Sequence, residues 1–477
     1  MARAQRTGTQ FAVPVVREVS LPVEELLLAL VNLDPSHRCS ILDSCGARPP
    51  DARFLIAGFD PFEILEAYGD EIRVSRPRED AGEIVRGDVL ALLDERLESF
   101  RVRPQAGIPV VGACIASFSY DLARRFERLR STAPPVSIPE PDAVLAFYDT
   151  LIVHDYLHST TQLVSVAGDK RLDEFQKSLY EAAPSSHASY LQVSSGARKA
   201  ASNFTRDEYM SAVRSIKQRI AAGDIYQANL TQQLSVPLGA TLSPESVFLR
   251  LRREHPASFA AFLRRRDDAV VSASPERFLR VEMGETERTV EAWPIKGTKP
   301  RGLDREEDAR LRAELACSEK DRAENIMIVD LLRNDLGRVC RYGTVTVPEL
   351  FTIQEHPTLF HLVSRVRGVL REEVKAGTLL RATFPCGSIT GAPKLRAMEI
   401  LDETERAPRG LSMGAIGYFS FDGRVDLSVA IRTMTVRDGI ARFNVGGGIV
   451  TDSQPEDEYQ ESLVKARALL RALDAEL

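Results

Sequence analysis

Hydrophobic and polar positions alternate with two different periods along this chain, and the change of period outlines its elements. Residues 54–57 (FLIA), 143–147 (AVLAF) and 162–166 (QLVSV) are short, apolar and rich in β-branched or aromatic side chains, the pattern of strands. Residues 23–33 and 88–100 space their apolar side chains three and four apart, the pattern of helices. Further on, Tyr209, Val213, Ile216 and Ile220 line one face of a helix expected over 206–223 and closed by Gly223. Strands are expected at 268–274 and 278–282, then one long helix over 306–336, then shorter strands and helices to the end. The order is irregular and no glycine fingerprint follows a first strand, so a dinucleotide-binding fold is not expected. An α+β fold is.

The one compositional break is 182–203, AAPSSHASYLQVSSGARKAASN, rich in Ala and Ser and poor in large apolar groups. It predicts a linker or long surface loop between an N-terminal region, 1–190, and a second region, 204–477. No repeat at solenoid-like periods is present.

With 477 residues, 44% of them hydrophobic and 27% charged, the composition is that of a globular protein. The net charge of -6 and the brevity of basic runs such as Arg264, Arg265 and Arg266 argue against a nucleic-acid partner. The six cysteines form no CxxC pair, the N-terminus has no apolar signal core, and no stretch is long enough to cross a membrane. A reducing cytoplasm, with no membrane partner, is expected.

Two helices carry paired carboxylates. In SEKDRAENIMIVDLLRND, Asp321 and Glu324 stand three apart and share a face; in PEDEYQESLVKARALL, Glu458 and Glu461 do the same, with Lys465 four residues beyond and Pro455 marking the start. Acidic residues near helix N-termini complement the macrodipole, which is reason enough for either pair alone. Brought together, they would form a hard oxygen site of the kind Mg²⁺ takes. FPCGSITGAPK (384–394) lacks the P-loop spacing and is not expected to bind a nucleotide. Gly446, Gly447 and Gly448 let backbone N–H groups approach an anion or simply form a turn, and Arg432 is a candidate anion clamp or a strand-end ion pair. In EAWPIKGTKPRG (291–302), a proline and a glycine bracket Lys296. Most lysines in turns are solvated; a rigid turn can also hold an amine as a nucleophile.

Several stretches together resemble the chorismate-utilising enzymes, most closely their aminodeoxychorismate synthase component I branch. They are GDIYQANLTQ (223–232), SASPERFL (272–279), PIKGT (294–298), AENIMIVDLLRNDLGRV (323–339), HLVSRVRG (361–368), GSITGAPKLRAMEIL (387–401), GAIGYFSFDG (414–423), AIRT (430–433) and GGGIVTDS (446–453). ILDSCG (41–46) and SYDLARRFE (119–127) carry a looser resemblance.

The resemblance implies two mainly antiparallel β-sheets packed as a sandwich with helices outside. It implies Mg²⁺ held by Glu324 and Glu461, with Asp321 and Glu458 acting through water. Lys296 is implied as a covalent nucleophile and Glu276 as general acid. Gly297, Thr298, His361, Ser412, Arg432, Gly446, Gly447, Gly448 and Lys465 are implied to contact chorismate. Ser44 lies in a stretch where relatives bind tryptophan. Two positions sort reactions within the family: anthranilate synthases have alanine in place of Lys296, and isochorismate and salicylate synthases have lysine where this chain has Gln227. Both point to amination at C4, with ammonia from a separate glutamine amidotransferase subunit. Anthranilate synthase component I and a non-catalytic chorismate- or tryptophan-binding subunit are the alternatives. Trp293 and Ser412 depart from the family, which usually has arginine before PIKGT and commonly tyrosine at the second position.

Overall fold

The computed structural model describes residues 13–46, 53–79, 81–130, 140–183, 198–239, 242–356 and 359–477. The fold is α+β, built on two twelve-stranded sheets whose neighbouring strands run antiparallel. The first runs in the order Val15–Val19, Thr160–Ser165, Thr150–Asp155, Phe54–Gly58, Ser40–Asp43, Phe259–Arg264, Ala269–Ser274, Thr433–Arg437, Ile440–Ile449, Gln227–Pro237 and Ala201–Ser202, with Gly391–Ala392 joining beside Gln227. The second begins Ile295–Pro300, Leu359–Val369, Arg288–Ala292, Arg277–Met283, Val425–Val429, Ala415–Ser420 and Ala113–Phe118, and ends on four strands from the first 150 residues.

The alternation along Phe259–Arg264 shows how the layers are set. Ala261 and Leu263 enter the core between the sheets, beside Ile115, Leu279 and Val429. Ala260 and Phe262 point the other way, into a second core with Leu26, Phe175, Phe248 and Leu469. Those four come from the helices Val23–Asn32, Asp169–Ala182, Pro244–Glu254 and Pro455–Ala472, which cover the outer face of the first sheet. Successive strand side chains face opposite ways, so a strand buried on both faces reads as one apolar run.

The helices and strands expected from periodicity form close to their predicted bounds: Val23–Asn32, Val89–Ser99, Arg206–Ala221, Phe54–Gly58, Ala143–Tyr148, Ala269–Ser274 and Arg277–Met283. The expected single helix over 306–336 is instead two, Arg305–Cys317 and Glu319–Gly337. Ser318 between them is extended (φ -64°, ψ 106°), and its hydroxyl accepts the N–H of Asp321, so one residue ends the first helix and caps the second. The expected loop over 182–203 falls largely on residues outside those described, and short strands occupy 198–199 and 201–202. Strands from before and after this stretch pair in both sheets: Ile41 lies opposite Phe262 in the first, and Ser117 opposite Ile416 in the second. All six cysteines are free. Among the described residues, no helix is long and apolar enough to cross a membrane.

Candidate active site

The site gathers where the Ile295–Pro300 strand, the Glu319–Gly337 helix, the glycine-bearing end of Ile440–Ile449 and the Pro455–Ala472 helix approach one another. Lys296 points from its strand toward the first helix, with Nζ 4.0 Å from Glu324 Oε2; the two side chains are only 14% and 16% exposed. Gly297 follows in the left-handed region (φ 77°), where a β-carbon would stand 2.8 Å from the side chain of Asp321. Glycine therefore lets the strand turn directly against the acidic helix. Thr298 Oγ1 lies 2.9 Å from His361 Nδ1, across the register pair that joins their strands.

On the other side, a β-carbon at Gly447 would lie 3.1 Å from Glu458 Oε2, 3.4 Å from Glu461 Oε1 and 3.6 Å from Lys465 Nζ. Gly446 and Gly448 flank it, opposite Thr231 and Asn229. Lys465 donates to the Gly446 carbonyl at 2.9 Å and pairs with Glu461 at 2.7 Å, and Ser453 donates to Glu458 at 2.6 Å. The two carboxylate pairs, distant in sequence, thus sit within each other's electrostatic reach. Burial raises the Glu324 carboxyl above its ordinary range, and Asp321 and Glu461 add to the rise while Lys296 and Lys320 oppose it. Burial likewise raises Glu458, with Glu461 contributing. Burial pushes Glu461 the same way, but Lys465, Lys320 and Lys296 outweigh it and hold Glu461 low.

Hard oxygen donors crowded until they repel one another are a donor set suited to a divalent cation. Among the described residues, no three Asp, Glu, His or Cys side chains already enclose a metal-sized space. The fit is therefore one of donor chemistry and charge.

Glu276 is buried beside the lysine strand. Burial pushes its carboxyl up to about 7, although the Ser388 hydroxyl, the Lys296 charge and the Ile295 N–H all favour the ionised form. Ser388 Oγ donates to Glu276 Oε1 at 2.7 Å. His361 is driven down to about 3, first by burial and then by His356 and Arg432, so its imidazole is neutral near pH 7. Arg432 itself occupies a left-handed backbone position (φ 48°), and no side-chain partner meets its guanidinium among the described residues. Burial lowers its pKa. A half-buried guanidinium without a carboxylate partner suits an anionic ligand.

Ser412, expected to contact chorismate, and Ser44, expected at a tryptophan pocket, have different surroundings. The Ser412 hydroxyl is engaged with the main chain, donating to the Thr433 carbonyl and accepting from the Asn444 N–H. Ser44 lies at a separate cavity of about 80 Å³, lined by Leu42, Asp43, Phe54, Phe259 and Asp426, and its buried hydroxyl has no partner.

Sequence reasoning missed Ser388, which lies in the GSITG segment read as not being a P-loop and as part of the family resemblance, with no role given to the serine. It also missed Lys320, although its i,i+4 spacing to Glu324 was visible; the two side chains lie 4.0 Å apart. Gln227, only 1% exposed, packs against Gly448, and neither its amide oxygen nor its nitrogen has a partner. Lys394, by contrast, is occupied structurally, donating to Asp335 at 2.6 Å and to the Thr383 carbonyl at 2.9 Å.

Residues 41–471 match the family described as chorismate binding enzyme. The chain belongs to that family. Aminodeoxychorismate synthase component 1 of Escherichia coli K12 is 40% identical over 438 residues, which cover 91% of this chain and 93% of that protein. Anthranilate synthase component 1 of Acetivibrio thermocellus is 33% identical over 479 residues, covering 97% and 95%. Among solved structures, anthranilate synthase component I from Streptococcus pneumoniae superposes with a TM-score of 0.78 at 29% identity, covering 89% of this chain and 93% of that one. The menaquinone-specific isochorismate synthase MenF of Escherichia coli shares the fold, with a TM-score of 0.67 at 15% identity over 97% and 95% of the two chains. The half-buried Arg432 and the glycine strand beside Lys465 bring cationic and backbone N–H groups into the same region.

Proposed function

We propose that the protein is aminodeoxychorismate synthase component I, converting chorismate and ammonia to 4-amino-4-deoxychorismate and water. The observation that carries this reading is Lys296 beside Glu324, with a buried carboxyl at Glu276 that burial keeps protonatable up to about pH 7. An amine and an acid in one pocket suit a displacement in which the leaving group is a hydroxyl.

The Lys296 amine adds to C2 of the ring, both ring double bonds shift in turn, and the C4–O bond breaks. Glu276 supplies the proton that lets the oxygen leave as water. Ammonia then forms the C4–N bond while the C2–N bond to Lys296 breaks, and the proton shed by the incoming nitrogen restores Glu276. Arg432 and Lys465 neutralise carboxylates of the substrate, Gly446, Gly447 and Gly448 give the main chain close access to it, and Thr298 fixes the neutral His361 beside the ring.

Glu324 and Glu461 would hold Mg²⁺, with Asp321 and Glu458 reaching it through water. Bound there, the cation would neutralise and orient the ring carboxylate. Gln227, whose amide is unpartnered, is placed to meet a polar group of the substrate or the incoming ammonia. Ammonia comes from a separate glutamine amidotransferase subunit, in keeping with the designation component 1 carried by the relatives. The cavity beside Ser44 is our candidate for tryptophan.

The test is product identity. With chorismate, Mg²⁺ and ammonium, the purified chain should yield aminodeoxychorismate by mass spectrometry, and Lys296→Ala should abolish it. Anthranilate as the product, or full C4 amination by the lysine variant, would overturn the reading.

A further inference from the structure

The chain contains a single tryptophan, and it stands three residues before Lys296. Trp293 is 5% exposed, and two guanidiniums lie over its ring, that of Arg277 at 5.4 Å from the centroid and that of Arg365 at 5.5 Å. Its indole N–H donates to Glu291 at 3.3 Å. Each arginine is anchored by acids of its own. Arg277 makes a two-pronged contact with Asp426, at 2.9 and 3.2 Å, and also lies over Phe259. Arg365 reaches Glu349 at 3.0 Å and Glu291 at 3.5 Å. The indole thus sits at the centre of a charged layer that joins four strands of the second sheet, with Arg365 extending it to Glu349 on a fifth.

The residues just after Trp293 connect this layer to the reacting groups. The Pro294 carbonyl accepts the N–H of Ser364 at 3.2 Å. The Ile295 N–H favours the ionised form of the Glu276 carboxyl, and Lys296 faces Glu324. Glu276 itself immediately precedes Arg277. Ser364 continues the path, because its hydroxyl donates to Asn325 at 2.6 Å, and Asn325 is the next residue after Glu324 on the acidic helix. The acid, the amine and the acidic helix are therefore all tied to one four-residue stretch, and Trp293 is the side chain that anchors it.

We propose that Trp293 is a positioning residue for the amination. By holding Arg277 and Arg365 against its π face, it fixes the 293–296 backbone so that Glu276 and Lys296 address the same ring together. A guanidinium over an indole gains electrostatically from the ring quadrupole, and more so when shielded from water. The inference rests on the roles of Glu276 and Lys296 given above. It also accounts for the departure from the family: an arginine at 293 in this chain would place a third positive charge with Arg277 and Arg365.

Three variants test it, with kcat and KM for chorismate measured with ammonium and folding followed by thermal unfolding. Trp293→Phe keeps an aromatic face and should hold kcat within about threefold. Trp293→Ala should lose kcat about ten- to a hundredfold with KM nearly unchanged, the signature of misplaced reacting groups. Trp293→Arg should fall as far as the alanine variant despite being the common family residue. Unchanged kcat in Trp293→Ala, a change in KM alone, or phenylalanine as damaging as alanine would each overturn the proposal. Should Trp293→Ala not fold, Arg365→Gln removes one of the two cations from the partly exposed side; a kcat loss of a few fold supports the proposal, and none overturns it.

Lys296→Ala separates the two levels. If that variant still aminates C4, the underlying reading fails. If it is dead while Trp293→Ala is fully active, only the positioning role fails. In the unmodified chain, acrylamide should quench the single tryptophan weakly with or without chorismate, and strong quenching would overturn the buried anchor.

Discussion

Glu276 is the residue whose surroundings make the sharpest demand on experiment. Its carboxyl, ordinarily near 4.5, is lifted to about 7 because burial outweighs Ser388, Lys296 and the Ile295 N–H. A group whose pKa is raised by folding contributes stability that is fully present below its unfolded value and is lost as pH rises through the folded one. That window is about 4.5 to 7, and the contribution is on the order of 3 kcal/mol. Glu276→Gln cannot ionise, so its unfolding free energy relative to the parent should rise by about that much between pH 4.5 and 8; a flat difference in denaturant titrations would contradict the assignment. As general acid, the parent should also show a basic limb in kcat near pH 7 at saturating ammonium, and the variant should lose about a hundredfold or more. The acid role expected of Glu276 came from the family resemblance alone, because nothing local to 274–276 excludes water; the Cys386–Ser388 stretch and the lysine strand do. The rigid turn expected around Lys296 is instead the Ile295–Pro300 strand, bulged at Gly297, and Arg277 and Arg365 over Trp293 were not legible, since each lies on a different strand.

At the level of elements, the division of the expected long helix at Ser318 is what aims Asp321 and Glu324 into the site. Both stretches have good helix formers, so periodicity ran through the serine, and only its extended backbone and its bond from the Asp321 N–H reveal the cap. Ser318→Ala should cost about 1 kcal/mol in unfolding free energy. It should also weaken substrate binding more than a surface Ser→Ala elsewhere does, read as an increase in KM. Gly297 is the matching constraint on the strand. An alanine there meets both a left-handed φ of 77° and the side chains of Asp321 and Leu315 at 2.8 Å. Gly297→Ala should destabilise by about 1–3 kcal/mol and depress kcat, since the lysine and the acidic helix must move apart; retention of both stability and rate would show that the strand yields there.

Across the whole molecule, both sheets run through strands from before and after residues 182–203, so the first stretch of chain is paired to the second along Ser40–Asp43 and Ala113–Phe118. A chain expressed as two pieces, 1–190 and 204–477, should therefore co-purify and unfold in one transition, and either piece alone should aggregate through its unpaired strand edges. Independent folding of either piece would contradict this. The crowded carboxylates make a prediction at the same scale. If Glu324 and Glu461 hold Mg²⁺, the cation should raise the unfolding temperature of the substrate-free chain, and Glu324→Gln or Glu461→Gln should remove that gain. Equal stabilisation of parent and variants would place the metal elsewhere.

The sequence by itself determined where most of the expected strands and helices lie, the α+β class and the family, because period, capping and motif are local properties of the chain. Only the tertiary structure decided which carboxylates meet, what buries Glu276, that one helix is two, and that Trp293 meets two guanidiniums. Those outcomes depend on burial and on charges carried by residues tens to hundreds of positions apart, and neither quantity exists until the two sheets close on each other.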